Sequence, residues 1–567
     1  MTPAKGFTQI VYFSVILFSF LLFPHSPAFA KELPFVVPNI KAPVFTNRNF
    51  SITKYGAVAD GLTKNTKAFE KAINACANSG GGKVVVPKGI WLTGPIALKS
   101  NVNLHLEAGS LILFSPDFND YPLTIRSSGG KPEVCCVPPI FGEDLHNIAI
   151  TGSGIIDGSG HAWRPVKKSK TTESQWQNLI SSGGVVDEKS KIWYPSVEAM
   201  NGPKTVEKLI ANNAYIKDYA AAKQYLRPVM VGLVNCKNVL LDGPTFQNSP
   251  NWNIHPLLCE NMIIQNITVR NPWYSQNGDG LDPESCRNVI IRNCKFDVGD
   301  DAICMKSGKD EEGRSRAVPT ENVAVENCIV YHGHGGFVIG SEMSGGIRNI
   351  YVRNCNFLGT DTGLRFKSAR GRGGIVEKIY IQDIYMKDIP QDAIIFDLFY
   401  SGKNNSSDRQ FVANEETPVF KNMHFHNIVC SGAARAMTIQ GLPEMPTRDL
   451  TFENMSFSAK QSINCFETSN IKFKNVNIMQ EKGPAFDMFN CRNFEFEKIT
   501  FNESLPVFMN LTGEKTNNIE LKDFNKSIMD KIRVDEKTNP DAVIISKSVI
   551  SYLFYVTDLL PPIPLLK

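Results

Sequence analysis

The 567 residues contain no block of lysine or arginine and no stripe of alternating aromatic and basic side chains, and the formal net charge is only +4. That argues against a nucleic-acid partner, because affinity for polyphosphate needs clustered cations. Any preference for a polyanion has to come from local groups. Apolar runs long enough to cross a membrane are also missing. The run from Ile10 to Phe23 falls short of the roughly 20 residues a helical span requires, and Val549 to Leu560 is shorter and ends in Pro561-Pro562. The 13 cysteines are odd in number and lack the paired spacing of a metal site. With no nucleotide, flavin or transition-metal motif either, neither cofactor nor metal is expected.

What is present at the N-terminus is Lys5, the apolar run, Pro24 to Pro27, and then Ala28-Phe29-Ala30. This is the pattern of a secretory signal peptide over residues 1–30. No cysteine follows Ala30 to take a lipid, so the mature chain is expected to be exported, periplasmic or extracellular, with no membrane attachment and as a monomer. The 42% apolar and 20% charged composition describes a chain able to bury a large core.

From about residue 235 one short phrase recurs: a polar residue, Asn, then an alternating strand. Copies include Lys237-Asn238-Val239-Leu240-Leu241, Glu260-Asn261-Met262-Ile263-Ile264, Arg287-Asn288-Val289-Ile290-Ile291, Glu321-Asn322-Val323-Ala324-Val325 and Arg348-Asn349-Ile350-Tyr351-Val352. Later copies start near Lys378, Asn422, Asp449, Asn470, Asn493 and Asn518. The alternation has period two and never a helical period, and the fixed leucines of leucine-rich repeats are absent. The fold class expected is all-β, a right-handed parallel β-helix over residues 31–530, followed by a C-terminal tail over 531–567. Six cysteines directly after Asn (Cys236, Cys294, Cys328, Cys355, Cys465, Cys491) read as one recurring buried position rather than as disulfides. The pair Cys135-Cys136 has no assignment.

Two stretches break the rhythm. Lys64 to Ser79 places Phe69, Ile73 and Cys76 on one face before Gly80-Gly81-Gly82, predicting an amphipathic helix that caps the open end of the solenoid. Residues 161–227, with Trp163, Trp176, Trp193 and a helical stretch from Val206 to Lys223, read as a partly helical insertion over one face.

Four polar clusters then fall on successive coils: Asn277-Gly278-Asp279, Gly299-Asp300-Asp301, Gly333-His334-Gly335 and Arg365-Phe366-Lys367. Stacking at coil spacing would gather three carboxylates, an imidazole and two cations in one groove. Crowded carboxylates cannot all stay ionised cheaply, so one should hold a proton as a general acid while another activates water, as glycoside hydrolysis demands.

These clusters, in this order, resemble the polygalacturonase family, glycoside hydrolase family 28, and the resemblance runs from Tyr55-Gly56-Ala57 and Asp60-Gly61 to about residue 525. Two members depart from the family pattern: Gly278 stands for Thr, and Phe366 for Ile. The resemblance implies an inverting hydrolase of pectic polysaccharide or oligogalacturonide. Asp300 would be the general acid, Asp279 and Asp301 the pair that holds and activates water, and His334 a residue keeping Asp300 protonated; Asn277 would bind substrate, and Arg365 and Lys367 would grip the sugar carboxylate. Inversion predicts carboxyl groups about 6.5 to 9.5 Å apart. Two softer matches, residues 340–346 and Arg370-Gly371-Arg372-Gly373-Gly374, resemble the exo-acting branch, with Arg370 and Arg372 widening the positive patch. The rival readings are a rhamnogalacturonan or xylogalacturonan hydrolase, a calcium-dependent pectate lyase, and a non-catalytic carbohydrate-binding or adhesin β-helix.

Overall fold

The protein is described by a computed structural model over residues 39–128, 130–400 and 410–547. The expected signal peptide and the run from Val549 to Leu560 lie outside the described residues. The chain winds into a right-handed parallel β-helix whose coils stack three ladders of strands. The first ladder runs Asn49–Ser51, Gly82–Val86, Val102–Leu106, His146–Gly152, Lys237–Asp242, Glu260–Gln265, Arg287–Arg292 and Thr320–Glu326. The second follows it in each coil, for example Thr245–Gln247, Thr268–Arg270 and Lys295–Asp297. The third runs Ile140–Glu143, Val231–Val234, Ile254–Leu257, a bridge at Leu281, Ile303–Met305, Phe337–Ile339 and Leu364–Lys367. Beyond it, continuous strands such as Ile375–Asp397 and Val419–Gln440 turn through all three ladders.

The repeated Asn is the corner residue. Asn238, Asn261, Asn288, Asn322 and Asn349 all sit near φ +57, the left-handed region that Asn tolerates better than most residues. Their side-chain amides then bond coil to coil at 3.0–3.3 Å. After the corner, inward Val289 and Ile291 alternate with outward neighbours and join the central core. Further along, that core holds a file of stacked rings, Phe366 on Phe396 and Phe425 on Phe452 on Phe473 on Phe496.

Helix Thr66–Asn78 caps the first coils, burying Phe69, Ala72, Ile73 and Cys76, and ends where the Gly81 N–H bonds back to the Cys76 carbonyl at 2.9 Å. The parallel stack does not stop at residue 530: Ile532–Val534 pairs with Met509–Thr512, and Val543–Ser546 pairs with Asn517–Lys522. The boundary drawn at residue 530 therefore moves, because a final coil forms from strands of three and four residues, too short to repeat the earlier phrase. All thirteen cysteines are buried free thiols. They do not share one repeat position, however. Cys294, Cys328 and Cys355 follow the corner between the first and second ladders, whereas Cys236 stacks with Cys259 and Cys286 ahead of the first. Cys135 and Cys136 lie in an antiparallel hairpin, Leu123–Ser128 with Lys131–Cys136.

The insertion carries helices Glu173–Ser181 and Val197–Ala211 and a 3-10 turn Ile216–Ala222. The helical stretch thus begins earlier than the sequence suggested and is split near residue 212. Two small cores anchor the insertion, one around Trp163, Tyr219 and Leu226, the other around Val166, Trp176 and Trp193.

Candidate active site

The third ladder brings the four clusters together. Asp279 and Asp300-Asp301 precede the bridge at Leu281 and the strand Ile303–Met305, Gly333 to Gly335 precede Phe337–Ile339, and Arg365 and Lys367 lie within Leu364–Lys367. One carboxylate oxygen each from Asp279, Asp300 and Asp301 lies within 4.8 Å of the others. These nearest oxygens meet because Asp300 and Asp301 are consecutive at one corner and Asp279 stands at the corner of the coil before, one strand spacing away. The side chain of Asp300 is 19% exposed, against 4% for Asp279 and 1% for Asp301, so Asp300 reaches the surface and the other two lie beneath it.

The two departures from the family pattern have local causes. A Cβ on Gly278 would meet the Ser275 hydroxyl at 2.2 Å, so a side chain there would require Ser275 to shift. Phe366 points inward, fully buried, with its ring stacked 4.4 Å from Phe396.

Asp301 is held ionised. Burial pushes its carboxyl up, but Lys367 Nζ at 2.5 Å and Arg365 Nη1 at 3.2 Å outweigh burial and hold it well below the usual range. Both cations sit over the Tyr400 ring, at 5.0 and 5.4 Å. Asp279 goes the other way: burial, then the charges of Asp282 and Asp300, push it well above its ordinary value. Asp282, with no exposed surface, is pushed up to about 8, chiefly by burial. Burial and mutual repulsion therefore favour proton retention on the Asp279 and Asp282 pair.

The opposite holds for Asp300. Burial raises that carboxyl and the charge of Asp301 raises it further, but His334, through its contact and its charge, together with the charge of Lys367 outweighs both and leaves Asp300 below its ordinary value. Asp300 accepts from two backbone donors, the Asp301 N–H at 3.0 Å and the Asn277 N–H at 3.2 Å, and His334 Nδ1 stands 3.0 Å from its Oδ1. His334 thus favours the carboxylate form of Asp300, the reverse of the expectation that it keeps Asp300 protonated.

Several residues of this site carry no signal in the sequence. Lys306 is 2% exposed and sits 3.8 Å from Asp279, 3.5 Å from Asp282 and 3.2 Å from Glu342, over the Trp252 ring. Lys170, from the insertion, reaches His334 Nε2 at 2.7 Å, and Arg227 donates to the Asn277 side-chain oxygen at 2.9 Å. Arg370 and Arg372, read as an open positive patch, are already engaged. Arg370 makes a two-pronged pair with Glu444 at 2.6 and 3.0 Å, and Arg372 pairs with Asp310 and donates to the Ser341 carbonyl. Among the described residues the three aspartates are the group whose oxygens stand close enough to share a cation. Arg365, Lys367 and Lys306 already supply positive charge to Asp301 and Asp279 at that point.

Residues 210–468, which include all four clusters, match the model of glycosyl hydrolases family 28. The structure of a hyperthermoactive exopolygalacturonase from Thermotoga maritima is 30% identical, with a TM-score of 0.65, over 82% of this chain and 94% of that one. The chain belongs to family 28. As a family 28 glycoside hydrolase it is also 29% identical to an exo-poly-alpha-D-galacturonosidase from Dickeya chrysanthemi, over 75% of this chain and 70% of the relative. A family 28 exopolygalacturonase from Yersinia enterocolitica shares the fold of this hydrolase at 22% identity and a TM-score of 0.57, over 82% of this chain and 78% of that one.

Proposed function

We propose that this hydrolase cleaves the α-1,4 bonds between galacturonate units of pectic polysaccharide, acting from a chain end and inverting the anomeric carbon. The observation that carries the reading is the set of three carboxylates within 4.8 Å, backed on the next coils by Arg365 and Lys367. Asp300, the exposed member, donates a proton to the leaving oxygen. Asp301, kept ionised by its two cations, activates a water that it shares with Asp279. An arriving sugar carboxylate competes for Arg365 and Lys367, and its negative charge together with the exclusion of water raises Asp300 toward the protonated form that an acid needs. A guanidinium fork beside an ammonium suits a uronate rather than a neutral sugar.

Chain-end action is supported by the kinship with exo-acting relatives and by the insertion, which meets the groove at His334 through Lys170 and at Asn277 through Arg227. In this reading Arg370 and Arg372 buttress the end of the groove through Glu444 and Asp310. Residues 1–30 act as an export leader, and the mature enzyme works as a monomer outside the cytoplasm on cell-wall pectin. Chromatography of a de-esterified polygalacturonate digest tests the reading. Saturated monogalacturonate should appear first and dominate. A mixture of oligomers of every length would overturn the exo assignment, and an ultraviolet-absorbing unsaturated product would overturn hydrolysis.

A further inference from the structure

The insertion delivers one side chain into the centre of the constellation. Lys170 ends the short turn Lys168–Lys170, just before the Thr172-capped helix Glu173–Ser181. That helix is pinned by Trp176, which packs with Val166 and Trp193 and against Tyr274 of the solenoid. Held there, the Lys170 ammonium bonds to two groups flanking Asp300: His334 Nε2 at 2.7 Å and the Gly299 carbonyl at 3.2 Å. Across the same imidazole, Nδ1 lies 3.0 Å from Asp300 Oδ1. An ammonium has hydrogens to give and no lone pair, so Nε2 must be the acceptor and the ring hydrogen must sit on Nδ1.

We propose that Lys170 is a positioning residue of the reaction: by occupying Nε2 it denies His334 a second proton and directs the proton that enters this pair onto Asp300. The inference rests on the proposed role of Asp300 as the acid. Without the ammonium the same proton goes to Nε2. The pair then becomes imidazolium and carboxylate, which carries the same charge but leaves no proton for the leaving oxygen. The other charged groups around the ring do not replace Lys170. Asp361, on the following coil, is 3.9 Å from Nε2, and Asp300, on the preceding coil, is 3.0 Å from Nδ1, and both bring negative charge to the ring. Arg365 and Lys367 are committed to Asp301, and Lys167 lies beyond Lys170.

The test compares Lys170→Met and Lys170→Arg, each alone and combined with Asp300→Asn. Lys170→Met should lower kcat by about tenfold or more with KM within about twofold, and Lys170→Arg should restore most of the rate, because a guanidinium likewise only donates. In the Asp300→Asn background Lys170→Met should cause no further loss, since both changes remove one act. In protein labelled with 15N-histidine, the His334 Nε2 signal should be that of an unprotonated, accepting nitrogen in the wild type and should lose that character in Lys170→Met at the pH of the activity assay. Wild-type kcat in Lys170→Met, a loss confined to KM, or a full further loss on top of Asp300→Asn would overturn the assignment of Lys170. Unimpaired turnover by Asp300→Asn alone would instead overturn the acid itself.

Discussion

Two stretches of the third ladder use the same coil for opposite ends. Between residues 279 and 367 its corners and strands bury Asp279, Asp282, Asp301, Lys306 and Lys367. Farther along, Met437–Gln440 and Ile463–Phe466 stand in the same register, but the core behind them is the file of stacked Phe425, Phe452 and Phe473. The backbone pairing is alike in both, so what differs is the cost of the side chains. Buried rings gain from leaving water and from stacking. Buried like charges cost stability even when cations answer them. The comparison teaches that the first stretch is maintained for chemistry and the second for stability.

The sharpest way to break that division is Asp279→Asn. Turnover should fall about a hundredfold to ten-thousandfold, because a group that holds the water is lost. Stability should rise, and more so at higher pH. Asp279 keeps its proton when folded and releases it near the ordinary carboxyl value of 3.8 when unfolded, and Asp282 behaves likewise up to about 8. The unfolded chain therefore binds fewer protons across pH 4 to 8, and the wild type loses stability as pH rises through that window. Thermal unfolding at pH 4 and pH 8 should show the gap between variant and wild type widening with pH. A variant that melts lower at pH 8 would contradict the division.

The converse change, Phe452→Ala, should cost about 3–5 kcal/mol of unfolding free energy by denaturant titration while leaving kcat of the folded enzyme unchanged. A parallel loss of kcat would mean that the two stretches are coupled. The smallest effect belongs to the corner ladder shared by both. Asn288→Gly keeps the left-handed corner but removes the amide bonds to Asn261 and Asn322, and should cost about 1 kcal/mol with no change in activity.

The same contrast explains what the sequence made legible. The solenoid could be read because one geometric demand, a left-handed corner in every coil, selects Asn again and again, and Asn238 through Asn349 mark it. The four polar clusters could be read because coil spacing superimposes them. Lys170 and Arg227 could not, since the insertion that carries them has no repeat to set a register against the coils 164 residues from Lys170 and 50 from Arg227. Lys306 looks like an ordinary residue after a strand until the fold places it between Asp282 and Glu342. Arg370 looked available because its partner Glu444 lies 74 residues away. The proton placement was the furthest from reach: crowding foretold that one carboxyl would stay protonated, but only the depth of each group favours the Asp279 and Asp282 pair over Asp300, which reaches the surface beside His334.

The measurement that bears most directly on the three-carboxylate site is proton NMR of the first product released from de-esterified polygalacturonate, with wild type and Asp300→Asn side by side. Wild type should release β-galacturonate before mutarotation sets in, and Asp300→Asn, folded and of unchanged melting behaviour, should release none on that timescale. An α product would show that the closely spaced carboxylates retain configuration through a covalent intermediate, and equal release by Asp300→Asn would remove Asp300 from the chemistry.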